Sequence, residues 1–462
     1  MKEDELLSYC EDALRACEAE GAEEAEAFAL SRTRIEVSLV VRGGEPDVAA
    51  TGTSRLGLAM RAYADGRLGF SYTTDLSEKA LREAARAALR ASRPVEGFKG
   101  FPNPGGTRRR GVYDRRVAEL TGPDLLDLLE GMVDEARGGG DGLEIPSAYV
   151  GACSVAFAIA NSSGLEVREE GTFVGANLSA LAAGAPESIS SSQVRRKLDQ
   201  LDTVALAHDV ARKALAMAGA GEIRPGEHDV VLSPWVLAEL LSYSFVGALR
   251  ADNVRLGTSV LKGKLGEQVA SEALSISDDP THPLGLCTFG TDDEGWPTER
   301  KPIVERGVLR AYLYDSLEAG LQGLEAGGNC IRWEPPVVDP FYPRDYRFRP
   351  GIYPTNLVVE PGHKSFEELL EHLGEGLYAF RSLSGFGMAP SGDFALYMTS
   401  AFRVEGGELG PGLRGLSLRG NVFEVLKAIR ETSSDLEPLL PDMAGFCVIA
   451  PHALAEGLEV VA

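Results

Sequence analysis

Histidine spacing decides first whether this chain can hold a catalytic metal. A metal-dependent hydrolase needs ligands that converge on one ion and a base that takes a proton from the metal-bound water. No two histidines lie four or five residues apart, so no helix supplies a ligand pair; they are His208, His228, His282, His363, His372 and His452. His372 follows Glu368 by four residues, and a surface pair on one helix face is the favoured interpretation.

Cysteines and clustered carboxylates are the other groups that could do chemistry. The cysteines are scattered without a Cys-x-x-Cys pair, which does not indicate a disulfide scaffold. We therefore expect a reduced, cytoplasmic protein. Asp292, Asp293 and Glu294 could suggest a Ca²⁺ or Mg²⁺ site, because hard cations take clustered carboxylates. Their spacing is not that of an EF-hand, and a turn that accepts backbone N–H bonds is the favoured interpretation.

Signatures of other enzyme classes are missing from the sequence. It contains no Gly-x-Ser-x-Gly elbow, no Walker A loop and no dinucleotide-binding fingerprint between a strand and a helix. The segment Gly385-Phe386-Gly387 is too short to cradle a phosphate and is typical of a flexible connection. The sequence thus gives no support to serine-hydrolase or nucleotide-dependent activity.

Composition and charge limit the kinds of partner that the chain can bind. The formal net charge of −23 repels phosphate backbones, so we expect no nucleic-acid binding. The charged N-terminal segment lacks an apolar signal core. No apolar run approaches the roughly 18 residues of a membrane-spanning helix, so we expect no membrane insertion.

The elements that would position a site fall into two parts, and the predicted class is α+β. Residues 1–222 are expected to form an α/β domain, with strands backed by helices at about 3–20, 75–91 and 121–136. Ala64-Asp65-Gly66 predicts a hairpin turn between two strands. Arg224-Pro225-Gly226 marks the domain boundary. Residues 223–462 are expected to form a larger domain, with a curved, mainly antiparallel sheet around a buried helix at 234–250.

That helix carries the most informative residues. It follows the apolar strand Asp229–Ser233 and contains Ser242-Tyr243-Ser244-Phe245-Val246-Gly247. With Asp292-Asp293-Glu294-Gly295 and Tyr353-Pro354-Thr355-Asn356-Leu357, this frame resembles the C-terminal half of the TldD/PmbA family, whose members have also been labelled modulators of DNA gyrase. TldD members carry His-Glu-x-x-x-His on this helix. Aligned without gaps, the two histidines fall on Ser242 and Gly247 and the glutamate falls on Tyr243.

The resemblance is to the PmbA (TldE) type of subunit, which has the fold without the zinc motif. It implies no catalytic residue, metal or cofactor in this chain, and zinc in a TldD-like partner of a heterodimer. It also implies unfolded or precursor peptides as substrates. A peptide groove is expected at Asn356, Leu357 and Val358 and at Gly385, Phe386 and Gly387. Cys447 stands where TldD members place a cysteine that looks like a third ligand, and a small core residue is the favoured interpretation here.

Two alternatives remain open from the sequence. The chain could form a self-contained homodimer that binds peptides without cutting them. It could also be an enzyme whose metal site is rebuilt from Cys447, His452 and the acidic turn near Asp292. The missing helical ligand pair speaks against the second alternative.

Overall fold

The computed structural model describes residues 3–105, 111–334, 339–383, 391–441 and 444–461. Its first half is built on one seven-stranded antiparallel sheet in the order β4-β3-β2-β1-β5-β6-β7. The strands are β1 (Glu24–Arg42), β2 (Glu45–Ala64), β3 (Arg67–Thr73), β4 (Arg93–Pro94), β5 (Leu143–Asn161), β6 (Glu166–Ala182) and β7 (Ile189–Arg195). Asp65 and Gly66 link β2 to β3 at positive φ, which confirms the predicted hairpin turn.

Helices cover one face of this sheet. They are α1 (Glu3–Ala19), α2 (Glu78–Arg90), α3 (Arg115–Ala118), α4 (Gly122–Gly138) and α5 (Thr203–Ala216), with a 3₁₀ turn at Leu198–Gln200. Odd-numbered β1 residues such as Ala27 and Val37 face α1 and α4, while even-numbered ones such as Phe28 face the second half of the chain. The three predicted helices that back the sheet are therefore confirmed. Cys10 and Cys17 lie on the buried side of α1.

The second half contains a mixed six-stranded sheet, a two-stranded ribbon and a small barrel. The six-stranded sheet runs β11-β10-β9-β14-β21-β20, and β12 pairs with β13. These strands are β9 (Ile276–Asp278), β10 (Lys301–Glu305), β11 (Val308–Leu309), β12 (Cys330–Arg332), β13 (Pro350–Ile352), β14 (Asn356–Val359), β20 (Glu437–Leu439) and β21 (Cys447–Ala450). The acidic turn at residues 292–294 lies between β9 and β10.

Five strands close the barrel, because β15 pairs with both β8 and β16 in the circuit β15-β8-β22-β18-β16. The barrel and its attached strands are β8 (Gly226–Leu232), β15 (Gly376–Ser382), β16 (Asp393–Glu405), β17 (Glu408–Leu413), β18 (Ser417–Asn421), β19 (Ile429–Thr432) and β22 (Ala453–Val461). The helices of this half are α6 (Pro234–Leu240), a π-helical turn (Leu241–Phe245), α7 (Val246–Leu249), α8 (Ala251–Leu256), α9 (Ser316–Gln322), α10 (Phe366–Leu373) and α11 (Val422–Ala428).

The segment from α6 to α7 shares one apolar core with the barrel. That core includes Leu237, Leu241 and Phe245 of the helix and Leu232, Leu377, Leu396 and Leu418 of four barrel strands. The predicted α+β class, with a curved sheet around a buried helix, is confirmed. The boundary between residues 222 and 223 stays a prediction. Among the described helices, none combines the length and apolarity that a membrane crossing requires.

Charged side chains buried between the two halves form one ion-pair network, which consists of Glu26, Arg61, Asp293, Glu294, Arg332 and Arg344. Arg61, on β2, binds Glu26 of β1 at 2.5 Å and Glu294 at 2.7 Å. Arg332 also binds Glu26 at 2.5 Å. Arg344 binds Asp293 at 3.1 Å, and both side chains are fully buried. The network therefore connects the first sheet to the loops of the second half.

The acidic turn is part of this network. Asp292 accepts backbone N–H bonds from Glu294 at 3.0 Å, Trp296 at 2.9 Å and Cys330 at 3.0 Å, which confirms the turn interpretation. Burial raises the pKa of the Asp292 carboxyl well above its usual range. Arg344 balances the charge of Asp293, and Arg61 balances that of Glu294.

Close packing of α2 on β3 makes Gly69 a test of the first half. A Cβ at Gly69 would lie 1.8 Å from the Ala88 carbonyl oxygen, so α2 would have to move. We expect Gly69→Ala to lower the free energy of unfolding by at least about 1–3 kcal/mol, which is the usual cost of overpacking. Gly52→Ala is the matched control, since Gly52 lies on exposed β2 with no atom closer than 3.9 Å to a new Cβ. Urea unfolding of both variants checks this, and equal midpoints would contradict it.

Asp315 should make stability depend on pH. It caps α9 by accepting the Glu318 N–H at 2.8 Å, and burial followed by the nearby Glu294 charge raises its pKa to about 7. Between pH 4 and 7 the folded state holds a proton that the unfolded state has released, so this carboxyl lowers stability as pH rises. We expect Asp315→Asn to remove a slope of at most about 1.4 kcal/mol per pH unit.

Unfolding of wild type and Asp315→Asn at four pH values between 4.5 and 7.5 measures the difference. Asp124→Asn is the control, because Asp124 is exposed and its pKa is lowered by its bonds to Thr121. The pH dependence of the free energy of unfolding should differ between wild type and Asp124→Asn only below about pH 4.5, where carboxylates with ordinary pKa values titrate. Parallel profiles for wild type and Asp315→Asn would refute the assignment.

Candidate functional site

The helix on which the family's zinc motif would lie is anchored at its N-terminus. Ser233 caps α6, because its Oγ accepts the Val236 N–H at 3.1 Å and donates to the Phe380 carbonyl at 2.7 Å. Pro234 occupies the first turn, where a missing N–H is not needed. The cap ties α6 to β15 as the chain leaves β8.

A π-helical turn lies at the motif itself. The Val246 N–H bonds to the Leu241 carbonyl, five residues earlier. In an α-helix five residues span about 1.4 turns, so residues five apart point in different directions. The π-turn brings Ser242 and Gly247 about one turn apart, and both are half-buried whereas Phe245 and Val246 are buried. The helix thus keeps a geometry that would let ligands five residues apart converge.

The groups at these positions do not fit a zinc ion. The Ser242 hydroxyl donates to the Ala238 carbonyl at 2.6 Å, so it is used by its own helix. Gly247 has no side chain, and open space surrounds the place where a Cβ would stand. Tyr243 lies in the π-turn between them. This donor set holds neither imidazole nor carboxylate, so no metal-dependent step can be assigned to it.

Cys447 and His452 lie apart, in two different cores. Cys447 is fully buried among side chains such as Phe28, Val358 and Ile449, which confirms the interpretation as a core residue. Burial raises the pKa of its thiol. His452 stacks on Phe366 with ring centroids 4.2 Å apart. Across the described ranges, no group of three or more His, Cys, Asp or Glu side chains is placed to hold a metal ion. A site rebuilt from these residues therefore has no geometric support.

Two smaller expectations need correction. Asn356, Leu357 and Val358 form β14, which is fully buried between β9 and β21 and bonded to both, so no peptide can pair with it. The predicted groove at these residues is wrong. Gly385, Phe386 and Gly387 lie outside the described residues. His372 contacts Glu431 at 2.8 Å rather than Glu368, because Glu368 closes the capping box of α10.

Cavities instead line β7, the last strand of the first sheet. A cavity of about 330 Å³ includes Tyr149, Asn177 and Phe341 in its wall. A second, of about 360 Å³, includes Asp209, Lys213, Tyr378 and His452. A third, of about 500 Å³, includes Ser188, Ser190 and Leu383. Arg381 lines all three, and its guanidinium carbon lies 3.5 Å from the centroid of the Trp235 ring. We call these three cavities the β7 groove.

Buried polar side chains line the second cavity. Lys213 pairs with Asp209, and its ammonium lies 4.1 Å from the centroid of the Phe380 ring. Burial lowers the pKa of Lys213. Burial also lowers the pKa of His452 to about 3, so its ring is neutral near pH 7. His452 Nε2 lies 3.2 Å from the Tyr378 hydroxyl. These groups suit hydrogen bonding to a bound molecule.

Sequence reasoning did not find the β7 groove. Its wall comes from α5, β7, the start of α6, β15 and β20, which lie far apart along the chain. The one local signal is the neutral, Ser-rich segment Ser190-Ser191-Ser192-Gln193, which is typical of an exposed loop as much as of a strand.

Known proteins resemble this chain in sequence and in fold. An uncharacterized protein of Methanocaldococcus jannaschii is 29% identical over 421 residues, covering 90% of this chain and 93% of that protein. A protein of Saccharolobus solfataricus named as a zinc metalloprotease TldD homolog is 26% identical over 261 residues, covering 56% of this chain and 55% of its own length. The crystal structure of TldE from Thermococcus kodakarensis matches with a TM-score of 0.86 and 25% identity, covering 98% of this chain and 100% of that one.

Family profiles match three consecutive parts of the chain. The PmbA/TldA metallopeptidase domain 1 matches residues 27–92, and the central domain matches residues 115–218. The PmbA/TldA metallopeptidase C-terminal domain matches residues 225–462, which is more than half of the sequence. With the fold, the motif helix and these matches in agreement, the chain belongs to the PmbA/TldD metallopeptidase family.

Proposed function

We propose that this chain is the non-catalytic, TldE-like subunit of a heterodimeric TldD/TldE zinc metalloprotease that acts on unfolded or precursor peptides. The observation that carries the proposal is the motif helix. Its π-turn keeps the geometry for ligands five residues apart, while a self-bonded hydroxyl and a glycine stand at the ligand positions. Catalysis then has to come from a partner chain.

Two further observations support a non-catalytic role for this chain and a catalytic role for its partner. The likeness to the Thermococcus TldE structure extends over nearly the whole of both chains, so it covers more than a shared domain. No His-Glu dipeptide occurs anywhere in the sequence, so an intact motif elsewhere in the chain cannot replace the one missing from the helix. In the proposed assembly the partner's His-Glu-x-x-x-His binds zinc, which activates water for peptide hydrolysis. This chain closes the chamber and helps to hold the peptide.

The proposed setting is the cytoplasm. All six cysteines are free and buried, as expected of a protein that works among reduced thiols. The net charge of −23 favours neutral or basic polypeptides over nucleic acids as ligands.

Assembly with a His-Glu-x-x-x-His paralogue from the same genome is the central test. We expect the two purified chains to form a one-to-one complex with one zinc ion, measured by native mass spectrometry and metal analysis. Cleavage of an unfolded protein such as reduced, alkylated casein should require both chains and should stop when a chelator removes zinc. A homodimer of this chain that never exchanges with the paralogue would reject the proposal in favour of a stand-alone peptide-binding protein.

Restoring only the glutamate should not restore chemistry. We expect Tyr243→Glu to show no zinc-dependent cleavage when purified alone, because Ser242 and Gly247 still offer no ligand to the metal. Zinc content and peptide cleavage report this directly. The matched control is Glu→Gln in the partner's motif, which should abolish activity of the complex, whereas Tyr243→Phe in this chain should leave it within about twofold. Zinc-dependent cleavage by Tyr243→Glu alone would refute the assignment.

A further inference from the structure

Within the described part of the chain, the β7 edge of the first sheet has no second partner strand. Among the described residues, β7 pairs with β6 alone, so one side of it has no strand partner. Backbone groups along such an edge can pair with another chain. Residues 190–195 are half-buried rather than exposed, because the second half of the chain lies beside them. The edge can therefore take a single extended chain more readily than a second flat sheet.

The cavities beside this edge lie on the two faces of the sheet. Tyr149 and Phe341 border the first cavity on the face that meets the second half of the chain, where their rings lie 6.1 Å apart. Asp209 and Lys213 of α5 border the second cavity on the helix-covered face. Ser192 and Gln193 of β7 border both cavities. Successive side chains of a strand point to opposite faces of a sheet, so a strand added to β7 would direct them alternately into the two cavities.

Within the described ranges, two buried polar atoms at these cavities lack a hydrogen-bond partner. Among the described residues, neither Trp235 Nε1 nor His452 Nδ1 has a hydrogen-bond partner, and Trp235 is only 8% exposed. Leaving a buried donor unpaired is unfavourable, so an occupant that accepts from Trp235 would be stabilised. Trp235 borders both cavities and His452 borders the second.

Two ion pairs are already formed beside β7. Lys213 is bound to Asp209, and Arg195 binds Glu437 at 2.8 Å where β20 approaches the end of β7. A charged side chain that enters the second cavity beside Lys213 would lose its hydration next to an ammonium and a carboxylate that already bind each other. An uncharged polar side chain, such as a carboxamide, avoids this loss and can bond to an indole N–H. The first cavity is bordered by apolar groups such as Phe341, Leu439 and Leu440, which suit an apolar side chain.

We infer that the free edge of β7 binds an extended peptide as an eighth strand of the first sheet. Its alternate side chains enter the two cavities, apolar ones beside Phe341 and uncharged polar ones beside Lys213 and His452. The choice of a peptide as ligand rests on the proposed function in a peptidase assembly. Backbone pairing supplies affinity with little demand on sequence, and the two cavities supply a preference for alternation.

The probe is a capped, fluorescently labelled eight-residue peptide of alternating Leu and Gln, flanked by lysines for solubility. In an extended strand, the N–H groups of all Leu residues point to one edge and those of all Gln residues to the other. Two N-methylated versions, one methylated at Leu and one at Gln, are titrated with the full-length chain alone by fluorescence anisotropy. We expect one version to lose at least tenfold in affinity and the other to stay within about twofold of the parent peptide. Equal affinities for both versions, equal losses from both, or no binding of the parent at 1 mM protein would overturn the inference.

A side-chain test is independent of backbone pairing. Trp235→Phe removes the unpaired indole N–H while keeping an aromatic ring, and we expect it to weaken the Leu/Gln peptide three- to tenfold. A Leu/Ala peptide should be unaffected by the same change. Trp296→Phe is the matched control, because Trp296 Nε1 donates to Ser316 Oγ away from the groove. Equal effects of Trp235→Phe on both peptides would contradict a bond to the polar side chain.

The two proposals can fail separately. Selective peptide binding by a chain that does not assemble with the His-Glu-x-x-x-His paralogue would support the β7 site and reject the subunit role. Assembly with the paralogue and activity of the complex, without this pattern of peptide binding, would support the subunit role and reject the β7 site. The N-methyl pair needs no variant of the protein, so a variant that fails to fold leaves the first test intact.

Discussion

The buried ion-pair network joins the first sheet to the second half of the chain. Glu26, Arg61 and Arg332 are nearly or fully buried, and such charges are tolerated only when each finds a close partner. Glu26 and Arg61 stand directly opposite each other on β1 and β2, so the sheet itself presents half of the network. The loop at residues 292–294, the strand β12 and Arg344 supply the rest. Removing one partner would leave a buried charge uncompensated, typically at about 3–5 kcal/mol.

The functional surfaces depend on the junction that this network spans. The β7 groove lies between the first sheet and elements of the second half, namely the start of α6, β15 and β20. Its shape therefore requires the two halves to keep a fixed relation. Aromatic packing adds to this, since Phe157 and Phe173 of the sheet meet Phe289 and Tyr342 from the second half. A peptide strand placed on β7 would contact both halves and would be held by their joint geometry.

The motif helix is well packed without a metal-binding side chain at residue 242 or 247. The π-turn is stabilised by the Val246-to-Leu241 bond and by the apolar core around Leu237 and Phe245, none of which involves a metal. Ser242 satisfies its hydroxyl within the helix. Such a helix can pack as part of an assembly whose catalysis lies in another chain, which is the function proposed for this protein.

Local structure could be predicted from the sequence because its causes are local. The cap at Ser365, the turn at Asp65-Gly66 and the buried stripe on α1 depend on contacts within a few residues. The missing ligands at Ser242 and Gly247 are likewise a matter of residue type. Long strands depend on distant partners, since β2 continues through the exposed residues 49–54 because each of them pairs with β1.

Tertiary structure alone decided which strands are edges and which side chains meet. Residues 356–358 form a strand, as their sequence suggests, but β9 and β21 pair with both of its sides. The serines of β7 instead border an edge that no described strand pairs with. Asp292 to Glu294 form an acidic cluster in the sequence, yet Arg61, 233 residues from Glu294, and Arg344, 51 residues from Asp293, balance its charge. Residue type fixes what a group can do, while its partner and exposure depend on long-range packing that no local spacing encodes.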